Sequence, residues 1–243
     1  MKQKYLALTP RLETCAAFVR PHAHLCDVGT DHGYLPVALV LRGKIEAALA
    51  CDVRENPLRT AQAHIAQYGV SAQVHTRLSD GLASVSPQEA DDVVIAGMGG
   101  DLIVRIVTET DWLRDPAKRL ILQPMTKAFT VRHALADLGF ALRREQAVLD
   151  SHRPYTAMLY EFAPAQATLN PLQLYTGLLD PREAAARQYL SRVDTYLRKR
   201  SQGLRREEQA AEAAKLERLC GFMENLLRTE TNGMKSRRRC NKI

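Results

Sequence analysis

The sequence predicts an α/β fold: a parallel sheet covered on both faces by helices, closed by an antiparallel hairpin, with an all-α segment behind it. Three observations carry this expectation. Short apolar runs at residues 25–28, 47–52, 72–77, 92–96 and 119–123 alternate with helical spacing at 34–42, 56–68, 102–108 and 129–138, the rhythm of a doubly wound sheet. Two further apolar runs, 141–149 and 156–162, are separated only by the polar stretch 150–154, which reads as a hairpin. Beyond Pro164 the periodicity is helical alone.

Each element has a start or a stop that its chemistry explains. The first run ends in Gly29, and the helix behind it opens with Pro36. Pro57 lies in the first turn of the next helix, where its missing N–H costs nothing, and Gly69 stops that helix. Gly139 ends the last helix before the hairpin. In the C-terminal part, Ala186, Leu190, Val193 and Leu197 form a seam at spacings of four and three. Gly203 is expected to break that helix, and a second one carries Ala213, Leu216, Leu219, Met223 and Leu226. The predicted organisation is an α/β domain over 1–163, a coiled-coil-like helical hairpin over 164–230 and a basic, disordered tail over 231–243 containing Arg237, Arg238 and Arg239.

Composition narrows the class. Apolar residues make up 46% and charged residues 25%, as in a soluble globular protein. There is no apolar run of membrane-spanning length and no secretory leader, so a cytoplasmic protein is expected, with no membrane partner. The five cysteines form no CxxC pair, and neither they nor the seven histidines show metal-ligand spacing; no metal is expected. The net charge is +7, yet residues 1–163 hold 18 basic against 18 acidic side chains, and residues 164–243 hold 16 against 9. A neutral body with a basic appendage suggests a polyanionic partner, although a solvated helical face explains the same charges.

Chemistry concentrates at the ends of the predicted strands. Asp27-Val28-Gly29-Thr30-Asp31-His32-Gly33 follows the first strand, and glycine there lets the backbone turn sharply and approach a ligand. A dinucleotide fingerprint G-x-G-x-x-G is absent. The spacing suits the looser G-x-G-x-G loop of S-adenosylmethionine-binding domains, with Asp31 in place of the middle glycine; an ordinary strand-to-helix turn is the alternative. Asp52, followed by Val53 at the end of the second strand, can accept hydrogen bonds from both ribose hydroxyls of a nucleoside, or simply cap a helix. Ser79-Asp80-Gly81 can take an adenine amino group, or form an Asx turn. Ala96-Gly97-Met98-Gly99-Gly100 implies a close approach by substrate, cofactor or backbone, and Gln123-Pro124-Met125 can bring a polar group to the pocket mouth. His32 is a candidate base or a helix-entry residue; Tyr155 and Trp112 can stack on a base or pack in the core. A hairpin closing a parallel sheet is the arrangement of Rossmann-like class I methyltransferase domains.

The combination D-V-G-T-D-H-G-Y-L-P, S-D-G-L, I-A-G-M-G-G-x-L-I and L-I-L-Q-P, with the opening Leu8-Thr9-Pro10-Arg11-Leu12, resembles the bacterial tRNA adenine-22 N1-methyltransferase family. The resemblance runs through Leu159-Tyr160-Glu161-Phe162, and the helical remainder matches in kind. It implies S-adenosylmethionine as cofactor, tRNA as partner, and methylation of N1 of an adenine in the D-loop. Carried over by position, it implies that Asp27, Gly29, Thr30, Asp31 and Gly33 border the methionine part, Asp52 and Val53 the ribose, Asp80 and Gly81 the adenine, and Ala96, Gly97 and Met98 the transferring methyl. Gly99, Gly100, Gln123, Pro124 and Tyr155 would face the target base, and Asp31 is the candidate catalytic carboxylate. In the family pattern Asn follows Gln-Pro, whereas this chain has Met125. A methyltransferase of another substrate, or a catalytically silent RNA-binding protein, would keep much of the same pattern. Oligomeric state is open, with a monomer favoured.

Overall fold

The computed structural model describes the backbone of residues 6–240 and the side chains of residues 6–228. Two compact units divide the chain, Met1–Thr168 and Leu169–Ile243. In the first unit the order is α1 (Pro10–Phe18), β1 (His24–Val28), α2 (Tyr34–Leu41), β2 (Ala47–Asp52), α3 (Glu55–Tyr68), β3 (Val74–Leu78), β4 (Asp92–Gly99), α4 (Gly100–Thr108), β5 (Arg119–Thr126), α5 (Ala128–Asp137), β6 (Phe140–Asp150) and β7 (Arg153–Phe162). The seven strands are ordered β3-β2-β1-β4-β5-β7-β6. The first five run parallel, and β7 inserts antiparallel between β5 and β6. The direction of winding reverses between β1 and β4, which opens a crevice at the C-terminal ends of those strands.

Strand alternation sorts the core into two layers. Cys26, Val28, Val93, Ile95, Leu120, Leu122, Met158 and Tyr160 point to one face, against Ile103, Ile106 and Val107 of α4 and Val131 and Leu135 of α5. Leu25, Val94, Ile121, Ala157 and Leu159 point to the other, against Cys15 and Phe18 of α1, Leu35 and Leu39 of α2 and Ile65 of α3. Burial of both faces is why these strands read as continuous apolar runs. The hairpin turns on Ser151 and His152, both left-handed (φ 47° and 63°), so it is tighter than the five-residue polar stretch suggested.

In the second unit α6 (Gln173–Thr176) precedes two long helices, α7 (Ala184–Arg206) and α8 (Ala210–Cys240). They run antiparallel, with Arg187 donating to the Leu227 carbonyl at 2.6 Å near one end and Arg205 bound to Glu217 near the other. Ala186, Leu190, Leu197, Ser201 and Leu204 of α7 are buried, with Ala213, Cys220 and Met223 of α8. Gly203 does not break α7. Burial of Leu204 one residue later keeps the helix on its seam, and the stop comes at Glu208 (φ 59°), where the Gln209 N–H caps the Leu204 carbonyl at 2.9 Å. The expected unstructured tail from residue 231 is helical as far as Cys240, and 241–243 lie outside the described residues.

Candidate active site

A cavity of about 820 Å³ opens at the C-terminal ends of β1–β5, a volume typical of small-ligand sites. Among its lining residues are Asp27, Gly29, Asp31, Asp52, Val53, Asp80, Gly81, Ala96, Gly97 and Met98, so most of the residues singled out from the sequence meet in one space. Tyr34, Val53, Leu102 and Met125, four of the exposed large apolar side chains, also line it. Apolar exposure gathered around a concavity is the signature of a binding surface.

On the β1–β3 side the polar groups are buried and anchored. Asp27 is 6% exposed and accepts from Thr30 Oγ1 at 2.6 Å. Burial pushes its carboxyl up to about 6, against the opposing Thr30 hydrogen bond, and the nearby Asp52 charge adds to the rise. The Gly29 and Thr30 amides both donate to the Cys51 carbonyl, at 2.8 and 2.9 Å, which ties the loop to β2. Gly29 is left-handed (φ +72°), and a Cβ there would run into the Met98 side chain. Asp52, 7% exposed, accepts from the Arg54 amide at 2.9 Å. Asp80 is held by an ion pair. Arg105 of α4 binds it at 2.7 Å, also reaches Glu109 at 3.1 Å, and holds the Asp80 carboxyl below its usual range.

Asp31 projects from the loop with its side chain 78% exposed, its Oδ1 3.2 Å from His32 Nε2. His64, read from the sequence as surface or structural, holds this loop: its Nδ1 lies 2.9 Å from the His32 carbonyl, and the rings of His32, Tyr34 and His64 stack 5.1–6.1 Å apart. Thr30 and Gly33 do not reach the cavity. Thr30 is 1% exposed and spends its hydroxyl on Asp27. Gly33 is the left-handed cap of α2, packed where a Cβ would come within 3.2 Å of Ala61.

The β4–β5 side is built differently. Register shifts at Ala96, Met98 and Gly99 bulge the end of β4, with Gly97 at φ +80°. The Gly97 amide donates to Gln123 Oε1 at 3.2 Å, and Gln123 Nε2 donates to the Pro124 carbonyl at 3.0 Å. Gln123 is therefore a fully buried brace for the bulge and not a group at the pocket mouth. Pro124 is buried in the ladder opposite Met98. Gly100 makes room for backbone: a Cβ would come within 2.7 Å of the Lys127 carbonyl. Gly99 faces Thr126, and Tyr155 stands outside the cavity under the guanidinium of Arg11. None of these five residues, expected from the sequence to face a substrate, is among those lining the cavity.

A family model described as a methyltransferase domain matches residues 8–158. The tRNA (adenine(22)-N(1))-methyltransferase of Bacillus subtilis (strain 168) is 32% identical over 174 residues, covering 72% of this chain and 73% of that protein. The chain belongs to the tRNA (adenine(22)-N(1))-methyltransferase family. The crystal structure of the B. subtilis m1A22 tRNA methyltransferase TrmK matches with a TM-score of 0.81 at 26% identity, covering 91% of this chain and 99% of that one. A Streptococcus pneumoniae protein crystallised with S-adenosyl-L-methionine matches with a TM-score of 0.75 at 30% identity, covering 91% and 100%.

Arg105 and Arg11, both lining the cavity, had no role assigned from the sequence. Arg105 lies 25 residues beyond its partner Asp80, and Arg11 sits in a helix that the apolar pattern did not reveal. The only sequence signal for Arg11 was its place in the opening Leu8–Leu12 motif. Met125 lines the cavity with its sulfur 3.2 Å from Arg11 Nη1. Among the described residues no group of three His, Cys, Asp or Glu side chains could hold a metal ion, and no helix is long and apolar enough to cross a membrane.

Proposed function

We propose that this cavity carries out the family's reaction, S-adenosylmethionine-dependent methylation of N1 of adenine 22 in the D-loop of tRNA, with Asp31 acting on the target base. The observation that carries the reading is one cavity with two unlike sides: buried Asp27 and Asp52 at β1 and β2, and a glycine-opened gap at β4.

The residues present fit the cofactor. Asp27 offers a carboxylate to the α-ammonium, Asp52 accepts from the ribose hydroxyls, and the positive φ of Gly29 lets the loop backbone come close. Val53 and Leu102 supply apolar walls for the adenine, and Asp80, kept ionised by Arg105, is an acceptor for its amino group. Bound there, the cofactor supplies an electrophilic methyl group. The chain's own contribution is mostly positioning, because adenine N1 carries an in-plane lone pair and needs no base before attack. N1 lies on the Watson–Crick edge, so the base must enter the gap beside Gly97 and Met98 unpaired. Methylation leaves the ring cationic; the Asp31 carboxylate stabilises that charge and accepts a hydrogen bond from the amino group.

The helical unit holds the tRNA body on this reading. The whole excess of positive charge lies beyond residue 163, and Arg192, Lys199 and Arg206 are exposed on α7. The protein works in the cytoplasm, where its tRNA is, as a monomer.

Nucleoside analysis of tRNA incubated with the protein and S-adenosylmethionine tests the reaction, and new 1-methyladenosine at position 22 is the expected product. At saturating cofactor, Asp31→Ala is expected to lower turnover about 100-fold; unchanged turnover would remove its catalytic role. Replacing Arg192, Lys199 and Arg206 together by Ala is expected to weaken tRNA binding at least about tenfold and flatten its salt dependence by about two to three phosphate contacts. Calorimetry should show cofactor affinity unchanged. Undiminished tRNA binding would move that role off α7.

A further inference from the structure

Three strands, β5, β6 and β7, converge on the guanidinium of Arg11, in the first turn of α1. Its Nε donates to Asp150 Oδ2 at the end of β6, 2.7 Å away, and its Nη1 donates to the buried Gln123 Oε1 on β5 at 3.0 Å. Met125 Sδ lies 3.2 Å from Nη1, and the guanidinium stands 5.3 Å from the centroid of the Tyr155 ring on β7. Among the described residues Nη2 has no hydrogen-bond partner, and Arg11 lines the cavity. Immobilising so long a side chain costs rotamer entropy, and these four contacts hold the guanidinium in place while its second N–H₂ group stays free.

The cations around the cavity divide by side. Arg105 is bound to Asp80 and Glu109, and the Arg54 Nε lies 3.7 Å from Asp52, both on the β1–β3 side. Arg11 stands on the other side, next to Gly97, where a Cβ would still be 4.0 Å from Nη1. Neighbouring Met125 offers only a thioether to a ligand in that gap.

We infer that Arg11 binds a phosphate flanking the target adenosine and so sets the depth and orientation at which the base enters. The inference rests on the target base occupying the β4–β5 side. A fixed cation against the base ring would oppose the positive charge that methylation creates, whereas the phosphodiester stays anionic throughout. Arginine's fork suits a phosphate oxygen, and with Nε and Nη1 already engaged Nη2 is the group left to donate to it. Arg11 is thus a substrate-positioning residue whose own charge is balanced by Asp150.

The test is a cycle between Arg11→Gln and tRNA carrying a single neutral methylphosphonate on the 5′ or 3′ side of adenosine 22. Arg11→Gln is expected to lower kcat/KM for natural tRNA about 10- to 100-fold, the loss of one charge-assisted hydrogen bond and its alignment. The slope of tRNA affinity against salt should fall by about one contact, while cofactor affinity stays unchanged. Arg11→Lys should recover the salt slope but not the rate. One of the two methylphosphonates should cost the wild-type protein a similar factor and cost Arg11→Gln nothing further. Effects that multiply for both linkages, or a loss of cofactor affinity equal to the loss of kcat/KM, would overturn the assignment. Absence of 1-methyladenosine with the wild-type protein would instead overturn the reading of the reaction itself.

Discussion

The two sides of the cavity solve opposite problems. At β1 and β2, carboxylates are buried in advance and held by short local bonds, Asp27 by Thr30 and Asp52 by the Arg54 amide. At β4 and β5 the wall is Ala96, Gly97 and the flexible thioethers of Met98 and Met125, with the polar groups Gln123 and Arg11 braced by contacts between distant segments. A side that holds the same small molecule at every turnover gains from preformed acceptors. A side that admits and releases a base gains from space and a single aimed donor.

The sharpest way to break this comparison is a matched pair of glycine substitutions. Gly29 and Gly97 both sit at positive φ, so each Ala carries the left-handed strain of ~1–2 kcal/mol. At Gly29 the added methyl also meets the terminal methyl of the flexible Met98 side chain, which can swing aside, so the backbone strain is the main cost at both positions. Gly29→Ala is expected to weaken cofactor binding about tenfold by calorimetry, the left-handed strain falling on the loop that approaches the cofactor. Gly97→Ala should leave that affinity within about threefold and instead lower kcat/KM for tRNA about tenfold. Equal effects on both quantities would mean that the two sides are not functionally separate.

A smaller effect is expected from pH. Burial raises the Asp27 carboxyl from 3.8 to about 6 in the folded protein. Between those values the folded state binds more protons than the unfolded one, so the stability of the free protein falls as pH rises through that window. Cofactor binding needs the carboxylate, so affinity should fall by up to about tenfold per unit as pH drops below 6. Asp27→Asn should flatten both dependences. At pH 7 without cofactor the variant should melt several degrees higher than the wild type, by up to about 3 kcal/mol of relieved burial, while binding cofactor more weakly. A variant no more stable than the wild type would show that Asp27 is better solvated than its 6% exposure implies.

Particular residues show what was readable in advance. Asp27, Gly29 and Asp52 could be found because they end apolar runs, and the C-terminal edge of a parallel sheet is where ligands bind. Asp80 lines the cavity, but its partner Arg105 was not foreseen, since the pair joins a loop to a helix 25 residues away. Gln123 was expected at the pocket mouth; the β4 bulge leaves the Gly97 amide without a ladder partner, and Gln123 turns inward to supply one. Gly100 read as room for a base and proved to be room for the Lys127 carbonyl. Gly203 read as a helix stop, yet Leu204 buries on the seam and carries α7 three residues further, to Arg206.

By itself, the sequence determined the layered α/β sheet, its closing hairpin, the helical pair and the strand ends where the carboxylates gather. Those features depend on local periodicity and on turn residues, whose energetics act within a few positions of the chain. Only the tertiary structure decided which polar groups face the cavity and which are consumed behind it. Asp80 with Arg105, Gln123 with Gly97, and Arg11 with Asp150 join segments 25, 26 and 139 residues apart. A buried donor or acceptor must be paired with whatever the fold brings near it, and that neighbour is set by packing and not by spacing along the chain.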